Sequence, residues 1–349
     1  MEKISTSDYN LDLIKFFAII ATISIHVFAP GASYEVGSSF SVFFILAGSF
    51  FRFCVPVFSM ASGYLLYTRD DIYTEKILRD IFKFLLFFIL AEIFYRFLSC
   101  LYIKFYYHSQ IDFLAMKNDL MEGNTKDHLY YIFIIILIYV FAPVGNFLVR
   151  REKGELKYLL KAWIFLALSL IFLVNLFDLK ALKIIKPYEL RGHYSYVFYA
   201  LLGAYFKKYK RETSQKNIIF YLGVFLLSYI LLVLTIFMTS HEEINLFTWD
   251  SNNILIFGLA YGIFGTGMKI YLKNEKFKGF LKLISQNIFV IYIIHVAFLD
   301  FLSIHKLTYI NFQGPEKVFI ALGEIILIFI ISLMTSISLR FIKNKIFAK

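Results

Sequence analysis

Apolar residues occupy this chain in blocks of about twenty, separated by short polar breaks along nearly its whole length. A block of that length is what an α-helix needs to cross a hydrocarbon core of ~30 Å. Ten are predicted as helices, at 11–30, 41–67, 81–103, 129–149, 162–178, 193–206, 217–239, 254–271, 283–303 and 318–339. The sixth is short: a half-span, or a helix that begins earlier in the preceding loop. The longest outer connection, 104–128, is too small to fold alone. The chain therefore reads as one all-α membrane domain over 1–349, a polytopic bundle of about ten helices. Its chemistry has to lie between the helices or at their mouths.

Composition agrees. With 59% hydrophobic and 17% charged residues, too little polar material exists to cover a soluble surface. The net charge of +11 sorts by side. With the N-terminus inside, the inner loops and the span ends beside them hold 24 of the 36 Lys and Arg, the outer loops nine, and Lys15, Arg52 and Arg96 lie within spans. Basic stretches 150–161, 207–216, 272–282 and the C-terminal tail fall inside, and acidic 240–253 falls outside. This asymmetry predicts both termini cytoplasmic, and it supports the sixth helix, without which the basic loops would alternate sides. The charge is thus topological. A lipid bilayer is the expected partner and nucleic acid is not. Outer Lys180, Lys183, Lys186 and Arg191 suit anionic headgroups. Cys54 and Cys100 have no disulfide or metal spacing, and no metal is expected. The N-terminus lacks a small-residue cleavage site, so the first block is read as a retained helix.

Polar residues that interrupt the apolar blocks are the candidate chemistry. Lys15 and His26 stand eleven residues apart; at ~100° per residue they share one helix face, ~16 Å apart along the axis. Asp12 and Thr22 fall near the same stripe. Ionisable groups at membrane depth are costly and functional by default. Taken alone, the stripe fits equally a snorkelling Lys, an Asp at the helix start and a structural His. Arg52 sits mid-way along the second block, four residues before Pro56, which removes the hydrogen bond the Arg52 carbonyl would accept. Ser62-Gly63-Tyr64 follows, with Gly63 open to close approach by a helix or ligand. Glu92 and Arg96 have the i,i+4 spacing of an intrahelical ion pair. Gly258 and Gly262 predict a close helix-packing face. His128 opens the fourth block and Pro143 lies near its other end. Ser285, Gln286 and Asn287 open the ninth, with Tyr292 and His295 further along.

In order, these segments resemble the acyltransferase-3 family of integral membrane acyltransferases. The family's first-helix pattern of a base, ten residues and a histidine, usually after an Asp, corresponds to Asp12, Lys15 and His26, with Lys where Arg is commonest. Its Arg…V-P-x-F…S-G-Y pattern is matched by Arg52, Val55-Pro56-Val57-Phe58 and Ser62-Gly63-Tyr64. The H-L-W-F…Y…P segment is similar to His128-Leu129-Tyr130-Tyr131 with Tyr139 and Pro143, Tyr replacing Trp. Leu202-Gly203 and Ile291-Tyr292…His295 complete the series. Lys15 keeps the charge of Arg but not its two-pronged fork.

The resemblance implies a stand-alone enzyme of the bacterial cytoplasmic membrane, without a fused esterase-like domain. It would transfer an acyl group, most simply from cytoplasmic acetyl-CoA as co-substrate, to a hydroxyl of a cell-surface glycan or lipid-linked sugar. On that reading His26 is the general base or a transient acyl carrier. Asp12, Lys15 and Arg52 hold the donor or stabilise charge. Ser62, Glu92, Arg96, His128, Ser285, Tyr292 and His295 are second-tier candidates. The same charged spans also fit a glycan exporter or flippase that needs a polar cavity but no acyl donor.

Overall fold

A computed structural model describes residues 8–33, 37–70, 74–112, 114, 117–118, 126–151, 153–169, 172–173, 176–177, 193–240, 244–312 and 314–347. Among the described residues the chain is helical, with no strand. The helices are α1 (Tyr9–Phe28), α2 (Ser39–Phe50), α3 (Cys54–Leu66), α4 (Thr74–Leu101), α5 (Tyr130–Val140), α6 (Ala142–Arg150), α7 (Lys153–Trp163), α8 (His193–Lys208), α9 (Lys210–Gln215), α10 (Ile218–Thr239), α11 (Ile254–Gly267), α12 (Glu275–Ile304) and α13 (Glu316–Phe347). Side-chain caps set several starts: Asp8 accepts from the Leu11 amide, Asn217 from Phe220, Asn253 from Leu255 and Asn274 from Phe277.

Among the described residues, six helical stretches are long and apolar enough to cross a membrane: Tyr9–Gly31, Ser39–Leu66, Thr74–Tyr106, Ile218–Thr239, Glu275–Asn311 and Glu316–Lys345. The fourth predicted helix is a bent pair, α5 and α6, meeting at 50°; Pro143 sits in the first turn of α6, where its missing N–H costs nothing. The eighth predicted span is α11 and ends at Gly267. With 14 residues, and 16 in α8, both are short for a ~30 Å core. The fifth predicted span is described only in part, as a π-helical turn Ile164–Ser169 after α7. Lys180, Lys183, Lys186 and Arg191 lie outside the described residues.

Two boundaries differ from expectation for one reason. α12 starts at Glu275 and α13 runs to Phe347, so most of the basic 272–282 segment and tail is helix, not loop. Lys and Arg are good helix formers whose long stems follow an apolar face while their heads reach water.

In the second block, α2 stops at Phe50, residues 51–53 form a turn, and α3 restarts at Cys54 with Pro56 in its first turn. The hydrogen-bond loss expected from Pro56 coincides with a break in the helix around Arg52. Further along α3, a Cβ at Gly63 would strike the Ala200 carbonyl of α8, and one at Gly203 the Met60 carbonyl of α3. The two glycines thus bring α3 and α8 into backbone contact. Gly258 and Gly262 press likewise on Ser228 and Phe225 of α10.

α1 is the hub, packed on α3, α11, α12 and α13. Lys15 meets Ser285 and His26 meets His295, so α1 and α12 run parallel and in step. Asn287 and Ser336 tie α12 to α13 at 2.9 Å.

Candidate active site

The parallel α1–α12 seam has a basic end and a histidine end. At the basic end an open vestibule of about 1110 Å³ is lined by Lys15, Arg69, Lys207, Lys210, Lys278 and Lys282, with Asp8, Asp12, Tyr64, Ser285 and Gln286 among its polar walls. Lys15 projects from α1 into this space and donates to Ser285 Oγ at 3.2 Å, with Asp12 at 3.9 Å one turn earlier. Tyr64 donates to the Asp8 carboxylate at 2.6 Å, so the capped start of α1 is pinned to α3. Burial pushes the Lys207 ammonium below the ordinary lysine value, and Asp8 opposes this. Gln286 faces the vestibule and also accepts from Arg340 of α13 at 2.6 Å.

Above Lys15 the vestibule gives way to a narrow slot of about 180 Å³. Its walls are Phe58, Ala61, Ser62 and Leu65 of α3, Tyr131 and Ile135 of α5, and Ile288, Phe289 and Tyr292 of α12. Lys15 and Leu65 line both spaces. Ser62 spends its hydroxyl proton on the Phe58 carbonyl at 2.9 Å, leaving its lone pairs towards the slot.

At the far end of the slot, Tyr131 and Tyr292 pack ring to ring at 5.2 Å, and the histidines begin. The rings of His26 and His295 are 5.1 Å apart, those of His128 and His295 5.3 Å, and those of His26 and His128 6.1 Å. Three residues far apart in sequence thus form one imidazole cluster. Tyr292 donates to the His128 carbonyl, and Tyr95 of α4 donates to the Ile293 carbonyl at 2.5 Å beside His128 Nε2. Among the described residues no group of His, Cys, Asp and Glu has metal-holding geometry.

Arg52 stands at the α2–α3 break, within electrostatic range of His26 and Tyr130. Its guanidinium lies 3.8 Å from the Trp249 ring centre, a cation–π stack, and Trp249 donates to Ser49 Oγ at 2.9 Å.

Glu92 corrects a sequence expectation. It is 2% exposed, beside the Ala91–Tyr95 face that packs on Leu129 and Ile132, and neither carboxylate oxygen has a hydrogen-bond partner. Arg96 is half-buried one turn on, and among the described residues neither a hydrogen bond nor a salt bridge joins the two, so the i,i+4 spacing does not become the expected intrahelical ion pair. Neither residue lines the vestibule or the slot.

Residues 8–341 match the family model Acyl_transf_3, described as an acyltransferase domain. The chain belongs to the acyltransferase-3 family. It is a multi-pass membrane acyltransferase, and the vestibule, slot and histidine cluster lie within the matched span. Neither a curated protein nor a solved structure matches it. Of the sequence candidates, Asp12, Lys15 and Ser285 meet at the basic end, Ser62 and Tyr292 in the slot, and His26, His128, His295 and Arg52 at the histidine end. Sequence reasoning passed over Asp8, Tyr131, Tyr95 and Trp249 as site residues, and treated Arg69, Lys207, Lys210, Lys278 and Lys282 as topological charge. Of these only Tyr131 carried a signal, as part of the His128-Leu129-Tyr130-Tyr131 segment.

Proposed function

We propose that the protein is an O-acetyltransferase that moves an acetyl group from acetyl-CoA, bound at a cytoplasmic basic end, to a hydroxyl of a cell-surface glycan or lipid-linked sugar. The observation that carries this reading is the order along the α1–α12 seam: six cations, an apolar slot that shares Lys15 and Leu65 with their vestibule, and three imidazoles beside Tyr292 of the slot wall. A donor with several phosphates, a long thin arm and a reactive thioester has that sequence of chemistries. Lys15, at the junction of vestibule and slot, offers one point charge to a phosphate. Arg69, Lys207, Lys210, Lys278 and Lys282 supply the surrounding field. The slot admits the pantetheine arm, whose length matches the ~16 Å between Lys15 and His26 along α1. The matching topology is ten crossings of a bacterial cytoplasmic membrane, with both termini on the side of the vestibule.

At the histidine end the reaction balances without a further reagent. The acceptor hydroxyl oxygen attacks the thioester carbonyl while His26 takes the hydroxyl proton. The new C–O bond forms and negative charge gathers on the carbonyl oxygen, facing the Arg52 guanidinium. Collapse breaks the C–S bond, and His26 returns the proton to the departing thiolate. The products are the O-acetyl ester and CoA.

Purified protein incubated with labelled acetyl-CoA and a panel of cell-envelope glycans tests this. Label should reach a glycan with wild-type protein and not with His26→Ala. Translocation of unmodified glycan, with no label transferred, would overturn the proposal in favour of a carrier.

A further inference from the structure

His295 is 1% exposed and holds a defined tautomer. Its Nδ1 lies 2.6 Å from the Tyr292 carbonyl oxygen of its own helix. A carbonyl only accepts, so Nδ1 carries the ring proton and the neutral ring keeps a lone pair on Nε2. That Nε2 is buried and has no hydrogen-bond partner. Because Nδ1 is occupied by the backbone of α12, Nε2, on the far side of the ring, points away from that helix. His26 of α1 is the imidazole centred nearest, at 5.1 Å. Two imidazoles joined by a single N–H···N bond have their centres about 5 Å apart. His128 is fixed in the same way one carbonyl further on, its Nε2 lying 3.2 Å from the Ile293 oxygen, and it stands further from His26 at 6.1 Å.

A general base must be held in the right tautomer by a group on its second nitrogen. We infer that His295 is the positioning residue of His26. When the acceptor binds, its Nε2 lone pair, unpartnered in the structure, receives the His26 ring N–H, which turns the other His26 nitrogen towards the acceptor hydroxyl. The same bond stabilises the imidazolium formed when His26 takes the proton. No proton passes to His295, and the stoichiometry of transfer is unchanged. An imidazole acceptor thus stands where many bases use a carboxylate. This role rests on the acyl-transfer reading above.

The test compares His295→Leu, which removes the acceptor, with His295→Gln, whose amide oxygen reaches the Nε2 position. His295→Leu should lower kcat by about 10²-fold while the KM for acetyl-CoA stays within about twofold of wild type, since the vestibule is untouched. His295→Gln should recover most of the lost kcat. Thermal unfolding in detergent checks that each variant is folded, and His295→Met replaces the leucine variant if that one does not accumulate. Wild-type kcat in a folded apolar variant overturns the positioning role. So does a folded glutamine variant as slow as the leucine one. Absence of label transfer by the wild-type protein itself overturns the acyl-transfer reading beneath it instead.

Discussion

At the basic end of the α1–α12 seam, six cations share one open space; at the histidine end, buried side chains are held one by one, His128 and His295 by carbonyls of α12 and Arg52 by the Trp249 ring. Lys207, Lys210 and Lys282 are exposed, and Lys278 and Arg69 only half-buried. Each adds a little to a common field. His128 and His295, by contrast, are buried and tied to successive carbonyls of α12. The Arg52 guanidinium lies 3.8 Å from the Trp249 ring centre. Redundant charge suits capture of a flexible polyanion. Single, fixed groups suit a step in which bonds change. Lys15 belongs to both regions: it lines the vestibule and the slot, with a side chain 17% exposed.

The contrast breaks most sharply at His26. His26→Ala should lower kcat by about 10²–10⁴-fold, the range lost with a general base, with abundance in the membrane unchanged. Full activity in that variant would remove the histidine end from the chemistry. Arg52→Ala comes next, with kcat lower by about 10²-fold, as for loss of an oxyanion donor. Arg52→Lys should recover only part, because lysine restores charge without the planar stack on Trp249. If acetyl-CoA KM rises instead and kcat holds, Arg52 serves the donor.

Lys15 tests the junction. Lys15→Ala should raise the KM for acetyl-CoA by about tenfold, the loss of one charge-assisted contact in a partly buried site. Lys15→Arg should match or improve on the native residue. Unchanged donor kinetics in Lys15→Ala would detach the vestibule from the donor.

How much of this was legible in sequence follows the range of the forces involved. The stripe from Lys15 to His26 is local, fixed by helical pitch, and holds. The break at Arg52 is also local, because a proline deletes one known donor. The meeting of His26 with His295 and His128 is not local: it depends on α1 and α12 running parallel in one register, set by packing hundreds of residues apart. Glu92 and Arg96 show the opposite error, where favourable spacing did not become a hydrogen bond because one side chain enters an apolar seam. The vestibule lysines were visible as a positive-inside signal. A basic residue facing headgroups and one facing a cavity look the same in a hydropathy pattern, so their convergence on one open space was hidden.

The smallest effects belong to those lysines, and their smallness is what sharpens the contrast. Lys278 and Lys282 sit on α12 at the vestibule rim, and Lys278 is already paired with Glu275 at 2.7 Å. An exposed ionic contact contributes little, so Lys278→Ala or Lys282→Ala alone should raise the KM for acetyl-CoA no more than about fivefold. The field they build is screened over a Debye length of ~8–10 Å at physiological salt. Raising ionic strength should therefore raise that KM in wild-type protein and leave kcat nearly flat, because the histidine end is shielded from ions by burial. In Lys278→Ala/Lys282→Ala the salt dependence of KM should be shallower than in wild type. An identical slope would mean that these lysines face only water and lipid, leaving Lys15, Arg69, Lys207 and Lys210 to meet the phosphates.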